Sequence, residues 1–145
     1  MQIQVKKLRD NATIPTCGSR YSAGYDLYAA LETGSIEIPP HDTVKIVTGL
    51  AIALPEGYFG AIFARSGLAT KQGLRPANCV GVADCDYRGE YIVALHNDTD
   101  KPKAVQNGDR IAQLVVLPCL TLDFEEVDEL SDTERGAGGF GSTGK

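Results

Sequence analysis

Turn residues punctuate this chain so often that no long element fits between them. Ile36 and Ile38 alternate with polar residues until Pro39-Pro40 stops the run, Val44 and Ile46 alternate again, and Leu50 to Leu54 ends at Pro55-Glu56-Gly57. Period-two alternation between clusters of Pro, Gly, Asn and Asp is the pattern of half-buried strands. Ile3 and Val5, with Leu8 at the margin, open the chain in the same way. Asn11 to Tyr21 is a polar connection with Pro15 and Gly18, and Ala23 to Ala29 and Tyr58 to Ala64 read as further strands. Ile92 to Leu95 and Ile111 to Leu117 are near-continuous apolar runs, suited to strands covered on both faces, and Gly108-Asp109 makes the turn before the second. Only Ser66 to Lys71 suits a helix, and it is short. Many short strands with one short helix predict an all-β sandwich, jelly roll or barrel.

A chain of 145 residues suits one domain. Its net charge of -5 argues against a general nucleic-acid binder, because phosphate backbones select basic surfaces. Asp123 to Glu134 holds seven acids and no base, which leaves the rest of the chain near neutral. An anionic substrate would therefore be held by local groups. Cys17, Cys79, Cys85 and Cys119 form no C-x-x-C pair, and His41 and His96 lie far apart. That spacing disfavours a structural zinc site and predicts buried free thiols in a reducing compartment. The first residues lack an apolar signal core and no run approaches membrane-spanning length, so a cytoplasmic protein without a membrane partner is expected.

The stretch Val80 to Tyr91 reads as the tip of a β-hairpin. Asn78 precedes a short apolar run, Tyr91 opens the next strand, and Asp84, Asp86 and Tyr87-Arg88-Gly89 lie between. On its own this is equally a solvated loop. Arg65-Ser66-Gly67 sits at a strand-to-helix junction, where exposed amides beside Arg and Ser make an anion site, although Ser there is also a common helix cap. Gln113 interrupts the most apolar strand; a buried amide needs partners, and both a structural bridge and a ligand contact satisfy that need. Asp26, the sole charge in its strand, is either paired or placed for a metal-bound water. From Arg135 the tail reads Arg-Gly-Ala-Gly-Gly-Phe-Gly-Ser-Thr-Gly, five glycines in ten residues, and cannot hold itself rigid in isolation. A disordered terminus is the plain reading. Yet one Arg, one Phe and a Ser-Thr pair are an anion donor, a stacking ring and two hydroxyl donors.

Five stretches in order resemble the trimeric dUTPase family, the deoxyuridine triphosphate nucleotidohydrolases. They are Ala23-Gly24-Tyr25-Asp26-Leu27; Arg65-Ser66-Gly67-Leu68-Ala69; Asn78 with Gly81 to Gly89; Arg110-Ile111-Ala112-Gln113-Leu114; and Arg135 to Gly144. Ala83 departs from the pattern, since a larger aliphatic is usual before the aspartate. The resemblance implies a jelly-roll-like, distorted β-barrel subunit of the β-clip type, with a β domain over residues 1–134 and a mobile Gly-rich arm over residues 135–145. It further implies a homotrimer with three shared active sites, each closed by a neighbour's arm.

The same resemblance implies hydrolysis of dUTP to dUMP and pyrophosphate, which keeps uracil out of DNA and supplies dUMP for dTTP synthesis. Asp84 corresponds to the general base that deprotonates a water attacking the α-phosphorus. Asp26 corresponds to the acid that meets Mg²⁺ through water, the metal being chelated mainly by the triphosphate. Arg65, Ser66, Gly67 and Gln113 correspond to phosphate ligands. Asn78 and the backbone from Gly81 and Val82 to Tyr87 correspond to the uracil pocket, and the Tyr87 ring packs beneath deoxyribose, where a 2′-hydroxyl would collide. Phe140 corresponds to the ring stacked on uracil, while Arg135, Gly141, Ser142 and Thr143 correspond to arm contacts, the Arg and the two hydroxyls reaching the phosphates.

Two alternatives carry different expectations. A dCTP deaminase, similar in fold, needs a glutamate-centred site and has no need of the Gly-Phe-Gly-Ser-Thr-Gly arm. Some dUTPases resemble regulators that capture partner proteins; such a role can coexist with catalysis, and no inserted segment here advertises it.

Overall fold

The computed structural model describes residues 1–139; Phe140, Gly141, Ser142 and Thr143 lie outside the described residues. Eleven strands and one helix follow in order: β1 Gln4–Lys7, β2 Tyr25–Tyr28, β3 Ser35–Ile38, β4 Thr43–Val47, β5 Leu50–Ala53, β6 Tyr58–Phe63, α1 Ser66–Gln72, β7 Leu74–Pro76, β8 Val80–Ala83, β9 Ile92–Asn97, β10 Lys103–Gln106 and β11 Arg110–Pro118. All pairings are antiparallel. They build small sheets ordered β1-β5, β10-β3, β2-β11-β6-β8 and β4-β9-β7. Such short, strongly divided sheets wrapped on one core are a jelly-roll-like all-β architecture.

Alternation places the core. In β4, Thr43 and Lys45 face solvent while Ile46 is fully buried; in β5, Leu50 and Ile52 point inward. Leu27, Ile38, Leu95 and Ile111 join them in one apolar cluster. Buried Asn97 ties the strand ends together: its amide donates to the carbonyls of Ile38, Pro39 and Lys101, and its oxygen accepts from the Thr99 amide at 3.0 Å and hydroxyl at 2.8 Å. A buried amide with every group partnered specifies one arrangement of the segments it joins.

Several elements differ from the sequence reading. The segment Val80 to Tyr91 is not a hairpin. β8 pairs with β6, whereas β9 pairs with β4 and β7, so residues 84–91 carry the chain from one sheet to another. The strands β7 and β10 went unread because neither carries a long apolar alternation: β7 has three residues, of which Leu74 and Pro76 are buried, and only Val105 of β10 is buried. Leu8 lies beyond β1 and is exposed. The thiols are free, but Cys17, Cys79 and Cys119 are exposed rather than buried, and Cys85 is half-buried. The first two sit in connections, Cys79 with φ 61°, and Cys119 follows the end of β11, so none belongs to a core-facing strand position.

β8 inverts the expected polarity. Gly81 and Ala83 are buried, while Val80 and Val82 face out. The cause is close approach to β6. A Cβ on Gly81 would lie 3.1 Å from Ile62 Cβ, and Ala83 sits opposite Gly60, where a Cβ would lie 3.5 Å from the Ala83 methyl. Small residues on the inward side of β8 fit beside β6 within the sheet, and alternation then places the valines on the outward side.

Candidate active site

The outward face of β8 and the segment after it form a cleft of about 230 Å³. Asn78, Gly81, Val82, Asp84 and Tyr87, all expected site residues, line it together. Asn78 precedes a residue in the left-handed region, Cys79, and its carbonyl accepts from the Val80 amide at 2.6 Å, a tight turn that delivers the chain into β8. Val82 is 67% exposed, an apolar wall open to solvent. Asp84 follows the last residue of β8; its carboxylate is exposed and has no hydrogen-bond or ion-pair partner among the described residues. An unengaged carboxylate at a cleft mouth keeps its oxygens for a proton or a water.

The segment beyond Asp84 is stapled rather than loose. The Tyr87 amide donates to the Asp84 carbonyl at 3.2 Å, and Arg88 Nη1 donates to the carbonyls of Cys85 at 2.7 Å and Tyr87 at 3.0 Å. The Tyr87 hydroxyl donates to the Glu90 carbonyl at 3.0 Å, and its ring lies 6.0 Å from that of Tyr91, tilted by 52°. Tyr91 lines the same cleft at 2% exposure, and its hydroxyl has no partner among the described residues. Burial, with a smaller contribution from Tyr87, pushes its phenol above the ordinary value of 10.0. Glu90 and Tyr91 are cleft residues that sequence reading missed; the run after Gly89 looked like the start of a core strand.

A second group gathers around Asp26. Its Oδ1 accepts from Arg65 Nε at 2.7 Å and its Oδ2 faces Arg110 Nη1 at 3.3 Å. The carboxylate is paired, with two guanidiniums. Gln113 stands opposite Asp26 in the β2–β11 register, and its Nε2 donates to the Ala64 carbonyl at 2.9 Å. That is the structural bridge, made across the β6–α1 junction, and the second N–H of the amide is left for a ligand. Its Oε1 occupies the space a side chain on Gly24 would need, which explains a glycine in β2's approach. Ser66 and Gly67 open α1 with their side-chain positions exposed, and Gly67 borders open space. The residue at the cap position is Arg65, not Ser66, and it makes no side-chain capping bond. Arg65 also lines a second cleft, of about 190 Å³, with Arg110 and Asp109. Asp26, Arg65 and Gln113 are thus one polar group, and the Asn78–Tyr87 set lines a different cleft. Arg135, on the exposed stretch after β11, donates from Nε to the Gly138 carbonyl at 2.9 Å.

Among the described residues no group of three or more His, Cys, Asp or Glu could hold a metal ion. A Mg²⁺ bound through water uses one or two carboxylates plus substrate phosphates, and Asp26, beside Arg65 and Gln113, is a carboxylate of that kind. Among the described residues no helix is long and apolar enough to cross a membrane.

Comparison with known proteins agrees across sequence and fold. The family model described as dUTPase matches residues 10–144. A deoxyuridine 5'-triphosphate nucleotidohydrolase of Desulfitobacterium hafniense is 52% identical over 132 residues, covering 90% of this chain and 87% of that protein. The dUTPase of Staphylococcus bacteriophage 80alpha, solved with dUPNHPP, superposes with a TM-score of 0.89 at 30% identity, covering 99% of each chain. A mutant dUTPase from phage phi11 of S. aureus, described with a structural Mg(II) ion, gives a TM-score of 0.82 at 25% identity over 91% of this chain. By its sequence and by its fold, this chain belongs to the dUTPase family.

Proposed function

We propose that this chain hydrolyses dUTP to dUMP and pyrophosphate, with the β8 cleft receiving the nucleoside and the Asp26–Arg65–Gln113 group receiving the phosphates. The observation that carries the reading is the shared cleft of Asn78, Gly81, Val82, Asp84 and Tyr87, with the Asp84 carboxylate unengaged. Backbone groups along β8 and the Asn78 amide offer donors and acceptors to a pyrimidine edge, and the Val82 wall leaves no polar partner for a substituent beside it. The Tyr87 ring is the floor for the sugar.

In the reaction, Asp84 takes a proton from a water whose oxygen bonds to the α-phosphorus, and the bond from that phosphorus to the αβ-bridging oxygen breaks to release pyrophosphate. Arg65, Gln113, the Ser66 hydroxyl and the amides opening α1 bind the negative oxygens. Mg²⁺, when bound, neutralises charge on the phosphates, and Asp26 would hold its water shell. The arm from Arg135, with Phe140, Gly141, Ser142 and Thr143, closes over the nucleotide. Relatives named for dUTP hydrolysis favour this activity over the deaminase alternative.

A homotrimer in the cytoplasm is the setting we infer. Arg65 lines a cleft other than the one lined by Asn78 to Tyr87, so copies of the chain that bring the two together complete the site. The segment after β11 supports assembly. Leu120, Leu122 and Phe124 alternate and are 84%, 61% and 93% exposed, a strand-like pattern with no layer against it. Pyrophosphate release from a panel of nucleotides with Mg²⁺ tests the activity: dUTP turned over far above dCTP, dTTP and UTP supports it, and equal turnover of dCTP rejects it. Sedimentation gives the assembly, with a catalytically active monomer as the contrary result.

A further inference from the structure

Glu90 touches more of the cleft's framework than a surface acid needs to. Its Oε1 accepts from the Gly49 amide at 2.8 Å and from Arg9 Nε at 3.3 Å, and its Oε2 accepts from Arg9 Nη2 at 3.3 Å. The side chain is 17% exposed, so these bonds are partly shielded from water. The anchor is itself rigid. Gly49 has φ 67°, which favours glycine, a Cβ there would lie 2.8 Å from the Ala12 methyl, and its carbonyl accepts from Leu8 at 2.7 Å. Glu90 is thereby fixed to the corner between β4 and β5, a part of the fold outside the β8 cleft.

Fixing Glu90 fixes its backbone carbonyl, and that carbonyl is the acceptor of the Tyr87 hydroxyl at 3.0 Å. Gly89 bounds the same hydroxyl from the other side. A Cβ on Gly89 would lie 2.6 Å from Tyr87 Cζ and closer still to the oxygen, although Gly89 is not in the left-handed region. Space, not torsion, requires glycine there. We infer that Glu90 is a positioning residue for sugar selection: held by Gly49 and Arg9, it orients the Tyr87 ring that excludes a 2′-hydroxyl. The inference rests on the reading of Tyr87 as the sugar floor and names what holds that floor in place.

The test is the ratio of kcat/KM for dUTP to that for UTP, by pyrophosphate release with Mg²⁺, in the full-length protein. Glu90→Ala lowers the ratio by about fivefold, the net worth of one hydrogen bond. Glu90→Gln, which still accepts from the Gly49 amide, restores most of it. Tyr87→Phe keeps the ring and removes the hydroxyl that the carbonyl holds; it lowers the ratio to a similar extent, and adding Glu90→Ala lowers it no further. A purely structural Glu90 would depress both substrates together and leave the ratio intact, and that result in Glu90→Ala overturns the inference. Should Glu90→Ala not fold, Tyr87→Phe, at an exposed side chain, decides in its place, and an unchanged ratio there overturns it. Tyr87→Ala separates the two layers. If it alters the ratio while Tyr87→Phe and Glu90→Ala do not, the sugar floor stands and the Glu90 role falls; if it leaves the ratio unchanged, both fall.

Discussion

Asp26 and Arg65 hold each other at 2.7 Å across the end of the β2–β11–β6 sheet, although the proposed function gives the first a hydrated cation and the second a phosphate. Arg110 adds a second guanidinium at 3.3 Å, so one carboxylate faces two cations. Asp26→Asn should free Arg65 and weaken retention of the metal's water shell. The half-saturating Mg²⁺ concentration for pyrophosphate release should rise by about 10- to 100-fold, the usual cost of losing an outer contact to a metal. An unchanged Mg²⁺ titration would limit Asp26 to orienting Arg65.

Asp84→Asn is expected to keep the fold and nucleotide binding, because its carboxylate engages nothing else in the described chain. The amide cannot take a proton, so kcat should fall by about 100- to 10,000-fold. Single-turnover kinetics with bound dUTP provide the measurement, and near-normal turnover would assign the base elsewhere.

Ending the chain after Glu134 removes no strand or helix among the described residues, where β11 closes at Pro118. The truncated protein should melt like the full chain and assemble like it, yet hydrolyse dUTP poorly. Phe140→Ala should be milder, because a lost base stack costs about 1–3 kcal/mol while the phosphate donors remain. Full activity in the truncated protein would reduce the tail to an inert terminus.

Tyr91 offers a stability prediction. A buried hydroxyl without a partner costs about 1–3 kcal/mol, so Tyr91→Phe should leave the denaturant midpoint unchanged or raise it. The sign with pH is definite. The folded protein keeps this phenol protonated above 10.0, whereas the unfolded chain ionises it there, so stability present below 10.0 is lost as the pH rises beyond it. Phenylalanine should remove that part of the slope. A midpoint lowered by the substitution would show that the hydroxyl is bonded through water.

Local pattern made much of this legible. Ile46 between Lys45 and Val47, the Pro55-Glu56-Gly57 turn, and the helix starting at Ser66 follow from period and punctuation alone. What remained hidden depends on contacts between distant residues. No local pattern says that Arg110 lies across from Asp26, or that Glu90 reaches Gly49 and Arg9. The hairpin expectation failed for the same reason: turn chemistry between residues 84 and 91 is real, but strand partners are chosen by packing, and β8 lies beside β6, where Ala83 is opposite Gly60. The cysteines misled because a small apolar side chain is usually buried, while three of these sit outside the strands' inward positions.

The inverted strand β8 has a consequence for how such a protein can change over generations. Gly81 and Ala83 answer to Ile62 and Gly60, so they are bound by the geometry of the sheet. Val82, exposed between them, answers to no core neighbour and presents its side chain to whatever enters the cleft. Tolerance and selectivity are therefore written on alternate residues of a single strand. A lineage could exchange Val82 and reshape what it accepts without first finding a stabilising change elsewhere, whereas drift at Gly81 would be removed before it reached the substrate.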